Sequence, residues 1–323
     1  MPERFQIETE RLPGDERQVD GASTPAASRR FWLAICVLVL VVTAVRAWQG
    51  HKWDLQLKGP FCFSDELIYK QNAQAINRDG PTYSRQYPPG YPLVLSVALK
   101  FDRWYLAILV TNALLAGLSV LLTGLLARRF LPPGWALAVA AVFALSPIHT
   151  VFPVLVLSEN LAVPVLLGSV YALVTLRRDS PAWRHAVFGA LSLANWTVKF
   201  IGLVQLPALA LAWFFLAGRR GFLRLSPAFS ALAGGLLVLA VWLAFGRSHG
   251  LPLKQTLFGP FDVTTLSLDP GLLINWLVLY GSYLLLAMGP LLPFVIRTLL
   301  ARDPHSPGEE AETRGNFGFL MLL

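Results

Sequence analysis

Apolar runs long enough to cross a bilayer alternate along the chain with polar connections. A helix needs about 20 apolar residues to cross the hydrocarbon core of a membrane. The pattern predicts eight such helices, and so an all-α polytopic membrane protein. The predicted spans are residues 31–47, 104–127, two helices within 135–176, two within 186–217, 227–245 and 272–296. The segment 135–176 is divided by Ser146-Pro147, Pro153 and Ser158-Glu159-Asn160, and the last of these would cap the fourth span.

The two ends of the chain depart from this pattern. Residues 1–30 are charged and rich in Pro, Ser and Ala, and they lack the apolar core of a signal peptide. We therefore expect a disordered cytosolic tail, followed by a transmembrane domain over residues 31–323. The last letters, NFGFLMLL, begin another apolar run that stops at Leu323. We expect this run to be a ninth span that is cut short.

Two long connections interrupt the spans, at residues 48–103 and 247–271. In the first, Ser64 can cap a helix that carries Asp65 and Glu66 in its first turn. After the joint QYPPGYP comes a second apolar stretch, which is too short to cross a membrane. Both pieces are predicted to be amphipathic juxtamembrane helices that lie at the membrane surface.

Composition and charge support a membrane protein. Hydrophobic residues make up 55% of the chain and charged residues 14%, whereas soluble proteins carry roughly 25% charged residues. The net charge of +8 comes from short clusters rather than from one basic patch, which argues against nucleic-acid binding. The clusters fall on every second connection, as the positive-inside rule requires of the cytosolic side. They are Arg29-Arg30, Arg128-Arg129, Arg177-Arg178-Arg184, Arg219-Arg220-Arg224 and Arg297-Arg302.

Three carboxylates fall on the opposite, outer side and are candidates for chemistry. Asp65 and Glu66 also suit a structural role, because acids in the first turn of a helix complement its dipole by about 0.3–1 kcal/mol. Glu159, within Ser158-Glu159-Asn160, could likewise cap the fourth span. It lies close to hydrocarbon, where an ionisable side chain costs roughly 2.5–3.5 kcal/mol, and this favours a functional site.

Lys199 is the basic candidate on the same side. The helical hairpin around it, residues 186–217, is too short for two full crossings, so we expect Lys199 in a cavity near the outer surface. The structural alternative is a lysine whose charged end merely reaches the interface, and the functional one is a lysine directed at a phosphate. His149 suits a polar cap better than a general base.

Several motifs, taken in order, resemble the GT-C membrane glycosyltransferases, in the branch of protein O-mannosyltransferases and lipid A aminoarabinose transferases. The motifs are SDELIY, YPPGYPLVL, LLARRF, ALSPIHTVFPVLVLSENL and NWTVKFIGL. The resemblance covers residues 31 to about 217, and the remainder is similar by hydropathy alone. It implies a GT-C-like helical bundle in a bacterial plasma membrane, with the C-terminal part of the family's domain missing.

The resemblance also implies an activity. The chain would be an inverting glycosyltransferase that moves a sugar from a polyprenyl-phosphate donor to a hydroxyl of a lipid, glycan or protein acceptor on the outer face. Asp65 matches the family's general base, and Glu66 and Glu159 would support it. Lys199, and more weakly Arg85, would bind the donor phosphate.

Other contacts and cofactors follow from the same resemblance. Tyr69, Tyr87 and His149 are candidate contacts to donor or acceptor, and membrane lipids are expected partners. Metal use varies in the family, and no ligand cluster stands out in the sequence. No cofactor is therefore assigned, and a divalent metal stays an open alternative.

Two other functional classes stay open. A membrane transporter or lipid flippase would use Glu159 and Lys199 in its translocation path, although the lack of an internal repeat weakens that interpretation. A noncatalytic membrane scaffold would use its acids only to cap helices.

Overall fold

In a computed structural model, the chain is described over residues 25–57, 64–78, 83–84, 87–177, 179–199, 202–219 and 225–258. Every regular element within these residues is a helix, which confirms the all-α class for this part of the chain. In chain order the helices are α1 Pro25–Leu57, α2 Ser64–Ile76, α3 Gly90–Ala98, α4 Trp104–Ala127, α5 Pro133–Leu145, α6 Pro147–Val151, α7 Glu159–Thr175, α8 Ala182–Val198, α9 Gly202–Arg219, α10 Leu225–Ser248 and α11 Leu253–Phe258. A 3-10 turn, Phe152–Val154, lies between α6 and α7.

Among the described residues, three helices are long and apolar enough to cross a membrane, by length and composition. They are Ser28–Gln56 within α1, the whole of α4, and α10. Large apolar side chains face outward from them: Leu40 on α1 is 68% exposed and Leu237 on α10 is 66% exposed. Such outward apolar surface is typical of helices that contact lipid.

The predicted count of about eight spans is not confirmed. Where residues 135–176 and 186–217 were each expected to cross twice, the structure has α5, α7, α8 and α9. α5 has 13 residues and α7, α8 and α9 have 17 or 18, against about 20 for a typical crossing, with a range of roughly 17–25. The predicted span at 272–296 and the apolar run that ends the chain lie outside the described residues. Most of the second predicted loop, 247–271, lies there too.

A proline separates α5 from the following segment, as predicted. α5 ends at Leu145 because Ser146 precedes Pro147, and a residue before proline is disfavoured in the α conformation. Ser146 is extended, with φ −60° and ψ 142°. Ser158 was expected to cap α7, but its side chain makes no capping hydrogen bond because its hydroxyl has other partners.

α1 extends beyond both ends of the predicted first span. It begins at Pro25, within the predicted disordered tail, and it ends at Leu57, within the predicted first loop. Tertiary contacts hold the last turns: Asp54 forms an ion pair with Arg103 at 3.0 Å, and Trp53 packs against the core formed by α2, α3 and α4. The sequence pattern predicted a shorter helix because it does not contain these contacts.

The two helices predicted in the first loop are present as α2 and α3. Both pack onto the start of α4, around one buried cluster. Its members are Tyr69, Ala73, Tyr91, Leu95, Ala98, Tyr105, Ile108, Leu109 and Val156. The helices are therefore part of a folded core, and their position at a membrane surface stays a prediction.

α4 is central to the bundle and packs against α1, α5 and α7, while α8 packs against α7, α9 and α10. α1 and α4 run antiparallel, because Gly124 contacts Ile35 near the start of α1, and Gly50 contacts Leu109. The start of α1 therefore lies beside the end of α4. α2 and α3 lie at the other end of α4, and they bring the acidic motif there.

Candidate functional site

Asp65 lies in the first turn of α2, as predicted, and a tyrosine of the proline-rich joint contacts its carboxylate. The hydroxyl of Tyr87 donates a hydrogen bond of 2.7 Å to Asp65 Oδ1. Burial, and next the nearby Asp65, raise the pKa of Tyr87 to about 12. Tyr87 therefore keeps its proton at neutral pH and remains a donor. Pro88 and Pro89, which are both buried, restrict the backbone of the joint.

Glu66 points into the protein. It is 2% exposed, and its Oε1 accepts a hydrogen bond of 2.6 Å from the backbone N–H of Val156. Oε2 has no hydrogen-bond partner among the described residues. Burial raises the pKa of Glu66, and the bond from Val156 opposes that shift. Glu66 thus ties α2 to the segment before α7, while Lys70, four residues on, lies over the ring of Trp104 at 4.9 Å.

Tyr69 links the acidic helix to the second acidic motif. It is 3% exposed, and its hydroxyl donates a hydrogen bond of 2.8 Å to Ser158 Oγ. Ser158 Oγ in turn donates to Glu159 Oε2 at 3.3 Å. The ring of Tyr69 packs against those of Tyr87 and Tyr91, with centroids 4.7 and 5.4 Å apart. These contacts bring the two acidic motifs to one region of the protein.

Lys199 forms an ion pair with Glu159. The side chains are 36% and 28% exposed, respectively, so solvent or a ligand can reach the pair. Lys199 follows α8 in extended backbone, with φ −147° and ψ 129°, in the short connection to α9. The predicted basic residue therefore meets the predicted second acid, an arrangement that the sequence did not indicate.

A close backbone contact brings this connection to the proline-rich joint. Gly90 begins α3, and a Cβ at that position would lie 2.7 Å from the carbonyl oxygen of Thr197 and 2.9 Å from Cα of Val198. Only glycine allows so close an approach. The end of α8, and with it Lys199, therefore lies against the joint that carries Tyr87.

Two buried asparagines hold the segment between the 3-10 turn and α7, and neither was predicted. Asn112, fully buried in α4, donates to the carbonyl of Leu155 at 2.9 Å and accepts from the hydroxyl of Tyr91 at 3.2 Å. Asn160 donates to the carbonyls of Phe152 and Leu155, at 3.0 and 2.9 Å. The available signal was a side-chain amide within an apolar run, since such a group needs a partner in a membrane.

His149 does not belong to this hydrogen-bonded group among the described residues. His149 is 8% exposed and its ring packs on Phe143, with centroids 4.7 Å apart. With Glu159 it lines a cavity of about 170 Å³ behind the site, so a contact from His149 to a substrate stays a prediction. Arg85 lies outside the described residues.

Comparison with protein-family models, curated proteins and solved structures gave no match to this chain.

The carboxylates do not form a metal centre in the part of the chain that the structure describes. There, no three side chains of His, Cys, Asp or Glu come together where they could hold a metal ion. Glu159 is paired with Lys199, and Glu66 is directed at Val156. These carboxylates, already engaged by other groups, do not fit a divalent ion.

The arrangement suits proton transfer beside a stabilised anion. Asp65 is partly exposed, and a carboxylate of this kind can take a proton from a hydroxyl. The ammonium group of Lys199 can stabilise negative charge. Asp65 accepts a hydrogen bond from Tyr87, the ring of Tyr87 packs on that of Tyr69, and Tyr69 is linked through Ser158 to Glu159. These contacts place both carboxylates at the same pair of tyrosines.

Proposed function

We propose that the chain is an inverting glycosyltransferase that moves a sugar from a polyprenyl-phosphate donor to an acceptor hydroxyl on the outer face of the membrane. One observation carries the proposal: Asp65 and the Lys199–Glu159 ion pair border the same pair of packed tyrosines, Tyr69 and Tyr87. The reaction needs a base for the acceptor and a cation for the departing phosphate. These side chains supply both.

Each side chain then has a defined role in the reaction. The carboxylate of Asp65 takes the proton of the acceptor hydroxyl as the hydroxyl oxygen attacks the anomeric carbon from the side opposite the phosphate. The bond between the anomeric carbon and the phosphate oxygen breaks, and its electron pair leaves with the polyprenyl phosphate. Lys199 stabilises the charge on that phosphate. Tyr87 orients Asp65, and Glu159 orients Lys199 until the phosphate is bound.

The position of the arginines supports an outer-face site. Arg29 and Arg30 begin the membrane-spanning part of α1, which lies beside the end of α4 that leads into Arg128 and Arg129. α2 and α3 pack at the other end of α4. Because arginine-rich ends stay in the cytosol, Asp65 would face the opposite compartment, where polyprenyl-phosphate sugars are used.

The decisive experiment is Asp65→Asn, assayed in membranes with radiolabelled polyprenyl-phosphate sugars. A general base contributes roughly 10²- to 10⁴-fold to a rate, so transfer should fall by at least a hundredfold at unchanged membrane levels. Asp54→Asn is the matched control, because Asp54 pairs with Arg103, whose side chain is 61% exposed, and it should retain transfer. Retained transfer in Asp65→Asn would overturn the proposal.

A transporter or lipid flippase is the second candidate function. The observation in its favour is the ion pair of Lys199 and Glu159 within an apolar helical bundle, since such pairs mark translocation paths. Transport that continues in Asp65→Asn but stops in Glu159→Gln would support it. Sugar transfer that stops in Asp65→Asn would support the enzyme instead.

A further inference from the structure

The arginine-rich end of the bundle contains a pocket of about 480 Å³. Its walls come from the turn after α4, the end of α7, the connection to α8 and the first turn of α8. The lining includes Arg129, Thr175, Arg177, Asp179, Trp183 and Arg184, and we call it the arginine pocket. The candidate active site does not include it: Lys199 follows the far end of α8, whose 17 residues span about 25 Å at 1.5 Å per residue.

The arginine pocket has an excess of positive charge. Of its described lining residues, three are arginines and one, Asp179, is an acid. Among the described residues, none of these three guanidinium groups lies within ion-pair distance of a carboxylate. Because neighbouring cations repel each other, the cluster favours an anion bound between them.

Two of these arginines, which are exposed, lie over aromatic rings. Arg129 lies over the ring of Tyr171 at 5.9 Å, and Arg184 lies over the ring of Trp183 at 5.6 Å. A guanidinium that stacks on a ring keeps the N–H donors at its edge for a second partner, and their fork matches the oxygens of a phosphate. Pro181, the N-cap of α8, provides no side-chain acceptor for the first N–H groups of the helix, which also favour an anion.

The arginine pocket lies where apolar helix surface ends. α4 is apolar as far as Ala127, and Arg129 follows directly after that end. Trp183 is 61% exposed, and exposed tryptophans are typical of the boundary between hydrocarbon and headgroups. The pocket is therefore at the depth of lipid phosphates.

We propose that the arginine pocket binds the phosphate of an anionic lipid headgroup. Basic pockets between membrane-spanning helices hold such headgroups. An ordinary excess of basic residues on one membrane side also attracts anionic lipid, but it requires no particular arginine. Binding in the arginine pocket, by contrast, requires the particular arginines that line it.

The test is lipid binding to the purified full chain in a neutral detergent, measured by native mass spectrometry. The probe is dioctanoyl phosphatidylglycerol, and dioctanoyl phosphatidylcholine is the uncharged comparison with the same acyl chains. Hydrogen bonds from arginine to a phosphate are charge-assisted, so the double variant Arg177→Gln/Arg184→Gln should bind phosphatidylglycerol at least about tenfold more weakly. Its binding of phosphatidylcholine should not change.

The matched control is Arg29→Gln/Arg30→Gln. It makes the same change in charge at the same end of the bundle, on exposed arginines of α1 that do not line the pocket. Full affinity in this control would support the proposal. Equal losses in the two double variants, or no loss in either, would overturn it. Displacement of phosphatidylglycerol by an equal concentration of inorganic phosphate would also overturn it, because the pocket would then bind soluble phosphate rather than lipid.

Discussion

The hydroxyl of Tyr87 donates a hydrogen bond of 2.7 Å to Oδ1 of Asp65, across 22 positions of the chain. The contact joins the proline-rich joint to the first turn of α2. It gives the proposed base a partner that keeps its own proton, because the pKa of Tyr87 is raised to about 12 by burial and by Asp65. The orientation of the carboxylate therefore depends on a residue of another segment.

Removing that hydrogen bond tests its role in orienting the base. Tyr87→Phe keeps the ring that packs on Tyr69 and removes only the hydroxyl. A hydrogen bond to a charged group contributes about 1.5–3 kcal/mol, so we expect sugar transfer to slow roughly ten- to hundredfold. Initial rates measure the effect on sugar transfer, and melting temperatures measure any effect on stability. Tyr171→Phe, at the arginine-rich end, is the control, and an unchanged rate in Tyr87→Phe would show that the hydroxyl does not orient Asp65.

Glu66 makes the stability of the fold depend on pH. Burial raises its pKa above 4.5, so the folded protein binds this proton more tightly than the unfolded chain. The resulting stabilisation is complete below the unfolded pKa and is lost as the pH rises through the raised pKa. Glu66→Gln abolishes this titration, and its melting temperature should therefore rise relative to wild type as the pH increases from 4.5 towards neutrality. Asp102→Asn removes an exposed acid as the control, and melting temperatures that change in parallel for wild type and Glu66→Gln would contradict the prediction.

Lys199 is expected to bind the donor phosphate. Lys199→Met keeps most of the side-chain length and removes the charge. The lysine is about one-third exposed, so the lower part of the range for charged hydrogen bonds applies, and donor affinity should fall roughly tenfold. Equilibrium binding of a polyprenyl-phosphate sugar measures the effect. Lys100→Met, which removes another exposed lysine, should bind as wild type does, and equal affinities for all three proteins would remove Lys199 from the site.

Gly90 is expected to set the distance between the joint and the end of α8. Gly90→Ala would bring a Cβ to 2.7 Å from the carbonyl oxygen of Thr197. This oxygen belongs to the backbone, so no side-chain rotation can relieve the overlap. Overpacking of this kind costs about 1–3 kcal/mol, and displacement of Lys199 should lower sugar transfer as well. Gly134→Ala is the matched control: a Cβ at that position meets nothing within 4 Å, so melting temperature and rate should match wild type. If Gly90→Ala behaved like this control, the close contact would not be needed.

Much of the helical pattern was predictable from local sequence. α4 has the bounds that its apolar run predicts, and α5 ends before Pro147 as expected. The longer C-terminal end of α1 has an origin in tertiary contacts. α1 continues to Leu57 because Asp54 and Trp53 find partners in other segments, and hydropathy within a run does not contain that information.

The residues of the candidate site were also predictable only in part from the sequence. Its residue types followed from carboxylates and a lysine beside hydrocarbon, where charge is costly and usually functional. Asn112 and Asn160 were missed because their importance lies in carbonyls that they meet only after folding. Ser158 fitted a cap by its position, but its hydroxyl bonds with Tyr69 and Glu159.

The sequence by itself determined the helical class, the apolar helices long enough for a membrane, and the acids and bases available for chemistry. These depend on the length of apolar runs and on local charge, which a chain carries before it folds. Only the tertiary structure decided the partners: Glu66 with Val156, Tyr69 with Ser158, and Lys199 with Glu159. These partners are between 40 and 90 positions apart, and only the packing of α2, α7 and α8 around α3 and α4 brings them together.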